Sequence, residues 1–149
     1  MIDKTLIGDT AESIFLSLLN QRGVFATSFT TEGLDGIVFD SDHRLFKVGQ
    51  SPYFVQVKSR NSDSGNYKTK NFPHDKMQSI EFFARNLEIP TASLYFVVGF
   101  SNDNDIRTIK YFGVPFLSLD RFKTNKGWYN FSVKSCEAAM QEDSSTFRL

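Results

Sequence analysis

Glu12, Asp35, Gln56 and Lys58 are the residues of this 149-residue chain whose types and spacing could do chemistry. Gln56 and Lys58 stand two apart in Phe54-Val55-Gln56-Val57-Lys58, a run rich in β-branched residues. Alternate side chains of a strand share a face, so Gln56 and Lys58 project together while Val55 and Val57 point into the core. Asp35 stands near the start of a second apolar run, with Leu34, Ile37, Val38 and Phe39. Antiparallel pairing of the two runs sets Asp35 across from Gln56 and Lys58. Burying a lysine or a carboxylate is costly unless it is paired or holds a metal. Glu12, Asp35 and Gln56 are hard oxygen ligands of the kind that Mg²⁺ or Mn²⁺ takes. A divalent ion between two carboxylates would polarise a phosphate and activate water, and Lys58 would steady charge on that phosphate. The plainer alternative is a structural Asp35–Lys58 ion pair.

The elements that must position these groups follow from periodicity. Ile7, Ala11, Ile14, Phe15, Leu18 and Leu19 mark one face of a helix over 4–22, with Asp3 or Thr5 to cap it and Gly23 just past its end. Gly8 and Glu12 lie one turn apart at the edge of that stripe. Strands are predicted over 24–29, 34–40 and 53–59, with short strand structure over 45–48. Residues 60–75 read as a long polar loop carrying Arg60, Lys68 and Lys70. Asp75 caps a second helix to about Leu87, bearing Lys76 and an apolar face of Met77, Ile80, Phe83, Ala84 and Leu87. Residues 93–100 form an apolar, central strand. A turn over 101–105, a strand over 108–112, a helical segment over 117–122 and a strand over 128–133 complete the order. Phe15, Phe82, Phe83, Phe96 and Phe100 read as core. The expectation is one α/β domain over 1–149, a mixed central sheet flanked by helices, loose from about residue 142.

With those positions set, the sequence resembles the PD-(D/E)xK nuclease superfamily, which includes many restriction endonucleases and the archaeal Holliday-junction resolvases. Gly8-x-x-x-Glu12, Gly33-Leu34-Asp35 and Gln56-Val57-Lys58 carry the resemblance, over roughly residues 4–100. It implies a restriction-endonuclease-like αβββαβ core and metal-dependent hydrolysis of DNA phosphodiester bonds. Asp35 then takes the place of the strand aspartate that binds metal, Gln56 that of the second acidic ligand, and Lys58 that of the family lysine. Glu12 matches the helix glutamate of resolvase-like members, and the Val57 carbonyl is a further ligand. Leu34 stands at the Pro position. Gln56 stands where Asp or Glu is usual, which removes one negative charge and leaves Glu12 and Asp35 to supply two. The resemblance implies Mg²⁺ or Mn²⁺ as cofactor, duplex or branched DNA as partner, and room for a homodimer. The alternative is a non-catalytic nucleic-acid-binding or scaffold protein that keeps the fold.

Composition limits the other classes. One cysteine excludes a disulfide framework and a Cys-rich zinc site. No apolar run reaches the ~20 residues of a membrane helix, and no basic start followed by a long apolar run opens the chain, so a cytoplasmic, membrane-free protein is expected. Formal net charge is zero, yet residues 1–40 carry −4 and residues 41–80 carry +4. The basic segment places Arg60, Lys68, Lys70 and Lys76 beside Lys58 as candidate contacts to a phosphate backbone. His43 and His74 read as solvated loop residues, and Trp128 and Tyr129 as a sheet-edge or partner contact.

Overall fold

In the computed structural model, residues 4–31, 33–62, 69–102 and 105–149 are described. The first apolar stripe folds as α1 (Lys4–Gln21), with Ala11, Phe15 and Leu19 buried. Asn20 ties its end to the sheet: the side-chain amide donates to the Ala26 carbonyl and accepts from the Ala26 N–H. Ala26 belongs to β1 (Phe25–Thr31), which runs antiparallel to β2 (Leu34–Phe39). Gly33 sits between them at φ 81°, and a Cβ there would lie 2.5 Å from Ile80. β2 pairs antiparallel with β3 (Tyr53–Ser62). β3 pairs parallel with β5 (Leu94–Asn102). Parallel pairing needs a crossover, and β4 (Lys70–Pro73) with α2 (His74–Asn86) forms it. β6 (Asp105–Pro115) and β8 (Phe147–Arg148) complete one mixed sheet of order β1-β2-β3-β5-β6-β8. β4 and β7 (Trp128–Phe131) form a separate antiparallel ribbon, and α3 (Val133–Glu142) follows it.

The sheet has a core on each face. Phe15 and Leu19 of α1 pack with Val38, Val55, Val57, Val97 and Tyr111. Met77, Ile80 and Ala84 of α2 pack with Leu34, Phe96, Val98 and Phe112 on the other face, joined by Cys136 and Ala139 of α3. β5 is buried from Leu94 through Ser101, as its unbroken apolar run requires.

Several sequence expectations are corrected. The chain after 142 is not loose: Ser145, Thr146 and Phe147 are buried, and β8 pairs with β6. The short β8 register, Phe112↔Arg148 and Gly113↔Phe147, lies below the length that strand periodicity detects. Helix α3 was not expected; Ser132 caps it through a reciprocal pair with Ser135 rather than the Glu or Gln of the usual box. No strand forms over 45–48. Instead the Asp40 carboxylate accepts from the N–H groups of Arg44, Leu45 and Phe46, each at 2.9 Å. The 60–75 loop is shorter than read, because β3 runs to Ser62 and Lys70–Pro73 pairs with β7. α2 begins at His74, with Pro73 at the cap position and no side-chain cap, so Asp75 lies in the first turn. Phe82 is 63% exposed, whereas Phe15, Phe96 and Phe100 are core.

Candidate active site

Pairing between β2 and β3 runs from Val38↔Tyr53 to Gly36↔Val55 and stops there. The next rung would set Asp35 opposite Gln56. Beyond it the Val57 N–H would ordinarily meet a β2 carbonyl. Asp35 Oδ2 takes that donor instead, at 2.7 Å, and also accepts from Gln56 Nε2 at 3.0 Å. A carboxylate thus fills the wedge where the two strands part. A strand residue exchanges its N–H and C=O with the same neighbour, so the Val57 carbonyl is turned toward the same wedge.

Gln56 is 3% exposed, and its Oε1 is buried with no hydrogen-bond partner. Leaving such an acceptor unsatisfied costs about 1–3 kcal/mol. Asp35 and Lys58 are half-buried. Lys58 projects from the face of β3 that carries Gln56, with Nζ 5.9 Å from the centroid of the Phe72 ring. Gln56, Lys58 and Phe72 line one side of a cleft of about 220 Å³, and Lys76, Ser79 and Phe83 of α2 line the other. The α2 residues recur at helical spacing, a signal present in the sequence that apolar periodicity alone overlooks.

Glu12 is half-buried on α1, and packing sets its level. Asn20 bonds Ala26, whose rung partner is Val38. Leu16, one turn earlier, lies 2.9 Å from where a Cβ of Gly36 would be. One turn back along α1 therefore moves two residues back along β2. One further turn back, the carbonyl of Ala11, the neighbour of Glu12, accepts from the Tyr111 hydroxyl of β6 at 2.7 Å. A side chain at Gly36 would require Leu16 and Val55 to shift.

Asp35, Gln56 and Val57 are thus directly bonded, with Lys58 and Lys76 on one cleft. Arg60 continues the Gln56–Lys58 face and is exposed. Lys70 is half-buried on β4, in the separate β4–β7 ribbon. Lys68 lies outside the described residues. His43 is an exposed residue whose Nδ1 stands 2.9 Å from both the Phe46 carbonyl and the Tyr53 hydroxyl, and His74 packs on Tyr129. Neither histidine lines the cleft.

Among the described residues no group of three or more His, Cys, Asp or Glu gathers to hold a metal. The candidate donors are of a different composition: Asp35, the orphaned Gln56 Oε1 and the Val57 carbonyl, with Glu12 of α1 as the second carboxylate expected from the sequence. Two carboxylates with two neutral oxygens suit a hard divalent ion, and the buried acceptor without a partner is what such an ion would satisfy.

No protein-family model and no curated protein matches the sequence. Among solved structures, the chain is similar to Hjc, a Holliday junction resolvase from the archaeal hyperthermophile Archaeoglobus fulgidus. The TM-score is 0.50 at 11% identity, covering 86% of this chain and 85% of that one. The likeness is one of fold, and it makes this a restriction-endonuclease-like α/β chain with a mixed central sheet flanked by helices. No helix among the described residues is long and apolar enough to cross a membrane.

Proposed function

We propose that this chain is an endonuclease that hydrolyses DNA phosphodiester bonds with Mg²⁺ or Mn²⁺. The observation that carries the reading is the Asp35 wedge at the end of the β2–β3 pairing, where the carboxylate accepts from the Gln56 amide nitrogen while the oxygen of the same amide is buried without a partner. Asp35, Gln56 Oε1, the Val57 carbonyl and Glu12 would hold the ion, which supplies Lewis-acid charge against a phosphate when bound. The Val57 N–H fixes the orientation of Asp35. Lys58 places a cation over the cleft and opposes the charge that builds on phosphate oxygens during attack. The Phe72 ring, with its centroid 5.9 Å from Nζ, offers that ammonium a cation–π contact. Lys76 and Arg60 hold the flanking backbone. The fold likeness to a Holliday junction resolvase supports branched DNA as a substrate to test beside duplex. A protein of this fold and size cutting two strands calls for a second copy, so we include a homodimer in the proposal, in a soluble, cytoplasmic setting and as one domain over 1–149.

One observation favours the second reading, a DNA-binding or scaffold protein without catalysis. Gln56 is neutral and spends its amide donor on Asp35, occupying an oxygen that an ion would otherwise use. Cleavage of supercoiled plasmid and of a four-way junction separates the two. The nuclease reading requires product only with Mg²⁺ or Mn²⁺, lost in Lys58→Ala and Asp35→Asn. Binding without cleavage under either ion selects the second reading.

A further inference from the structure

The β4–β7 ribbon carries features that the cleft does not use. Residues 121–134 hold Arg121, Lys123, Lys126 and Lys134 with no acidic residue. Arg121 is bonded to Glu142 and the Ala139 carbonyl, but Lys123, Lys126 and Lys134 are exposed. Trp128 opens β7 and is 43% exposed, opposite Pro73 in the ribbon register. Its neighbour Tyr129 is buried, opposite Phe72. Alternation therefore sends Phe72 and Tyr129 inward and leaves Trp128 on the outer face.

The turn before Trp128 is joined to the cleft. The His74 N–H donates to the Gly127 carbonyl at 3.0 Å, which seats this turn on the first turn of α2. Lys76, in that same first turn, lines the cleft. Cations thus continue from Lys58 through Lys76 to Lys126 and Lys123, and the path ends at an exposed indole. A backbone-following basic path that closes on an aromatic face is the arrangement that binds unpaired strands, since every base offers a π-face.

We infer that the outer face of the β4–β7 ribbon binds single-stranded DNA leaving the cleft, with Trp128 stacking on an unpaired base and Lys123 and Lys126 contacting phosphates. The inference rests on the nuclease-site reading for the direction of the strand, and its test does not depend on cleavage. Trp128 is the only tryptophan of the chain, so its emission reports stacking directly. The probes are a single-stranded oligonucleotide, a flap of the same sequence and a blunt duplex, titrated without divalent ion, with emission and the anisotropy of a labelled strand read together.

Single-stranded and flap DNA should quench the emission, and blunt duplex should leave it largely unchanged. Trp128→Ala should weaken single-strand binding about tenfold, within the range for one base–aromatic stack, and Trp128→Phe should recover part of it. Lys123→Ala/Lys126→Ala should reduce the slope of log affinity against log salt by about 1.4, since each single-strand phosphate contact contributes about 0.7. Binding with unmoved emission, or equal affinity in Trp128→Ala, overturns the proposal. Equal quenching per nucleotide by a long blunt duplex also overturns it, because bases inside a duplex are stacked on both faces and offer none to the indole. A response at Trp128 from a protein that never cuts DNA upholds the ribbon and removes the nuclease reading. Cleavage with a silent Trp128 does the reverse.

Discussion

Gln56→Glu sets a second carboxylate against Asp35, where the amide nitrogen now stands 3.0 Å from Oδ2. The substitution removes a hydrogen bond and replaces it with like-charge repulsion. At an effective dielectric of about 20, two unit charges at that distance repel by about 5 kcal/mol. Protonation limits the loss. Holding one glutamate neutral at pH 7, against an ordinary value near 4.3, costs about 3.7 kcal/mol, and at pH 5 about 1 kcal/mol. The pair's folded pKa is raised above the unfolded value, so the variant keeps most of its stability at low pH and loses it as pH rises from about 4.3 toward 7. With EDTA present, Gln56→Glu should melt below wild type by roughly 10 °C at pH 7, from about 3 kcal/mol at 2–4 °C each, and by only a few degrees at pH 5. A divalent ion should narrow the gap. At a hundredfold excess over Kd it adds about 2.7 kcal/mol, and the restored negative charge gives the variant the larger response to Mn²⁺. Thermal melts at two pH values, with and without Mn²⁺, measure all four quantities. A variant that melts with wild type at pH 7 in EDTA and ignores Mn²⁺ would refute the adjacency of the two side chains and the ion site together.

Three further outcomes follow from the hydrogen bonds and burial. Asp35→Ala strips the buried Val57 N–H of its acceptor and should lower urea-measured stability by about 1–3 kcal/mol. Asp35→Asn keeps an oxygen acceptor and should stay within about 1 kcal/mol while losing any metal response; equal stability in both variants would contradict the wedge geometry. For Asp40, burial pushes its pKa up, but the N–H groups of Phe46, Leu45 and Arg44, with His43 nearby, outweigh this and hold it below 3.8. Its contribution is therefore present above about pH 4 and lost as pH falls through the lower folded value, so Asp40→Ala should cost about 3 kcal/mol at pH 7, with the gap from wild type narrowing in acid, as seen in unfolding curves taken from pH 7 to 2. Burial pushes the Cys136 thiol up to about 12, so Ellman's reagent should label the native protein only after denaturant is added; stoichiometric labelling of the native state at pH 8 would contradict that burial.

Strand alternation was legible for β3 because Gln56 and Lys58 interrupt a run whose other members are apolar, and the register with β2 then placed Asp35. The α1 stripe was legible for the same reason. The metal-side detail was not, because it depends on where pairing stops: the sequence carries no sign that β2 and β3 part after Gly36↔Val55 and that Asp35 takes over as acceptor. β4 and β8 are four and two residues long, too short for a periodic signal against their polar surroundings. α3 was missed because Ser132 and Ser135 cap each other and because Cys136 and Ala139 give its buried face little hydropathy. Asp40 looked like the polar end of a strand, yet it organises the following turn through three backbone donors. The basic run around Trp128 is visible in composition, as Arg121, Lys123, Lys126 and Lys134 without an acidic residue between them.

In the proposed nuclease, Asp35, Gln56 Oε1 and the Val57 carbonyl form one divalent-ion site. An anomalous difference map from crystals soaked in Mn²⁺ measures that directly. A single strong peak is expected in the β2–β3 wedge, within coordination distance of Asp35 and of the Gln56 amide oxygen, and it should disappear in Asp35→Asn crystals soaked alike. A featureless wedge at millimolar Mn²⁺, with the Gln56 amide nitrogen still donating to Asp35, would contradict it.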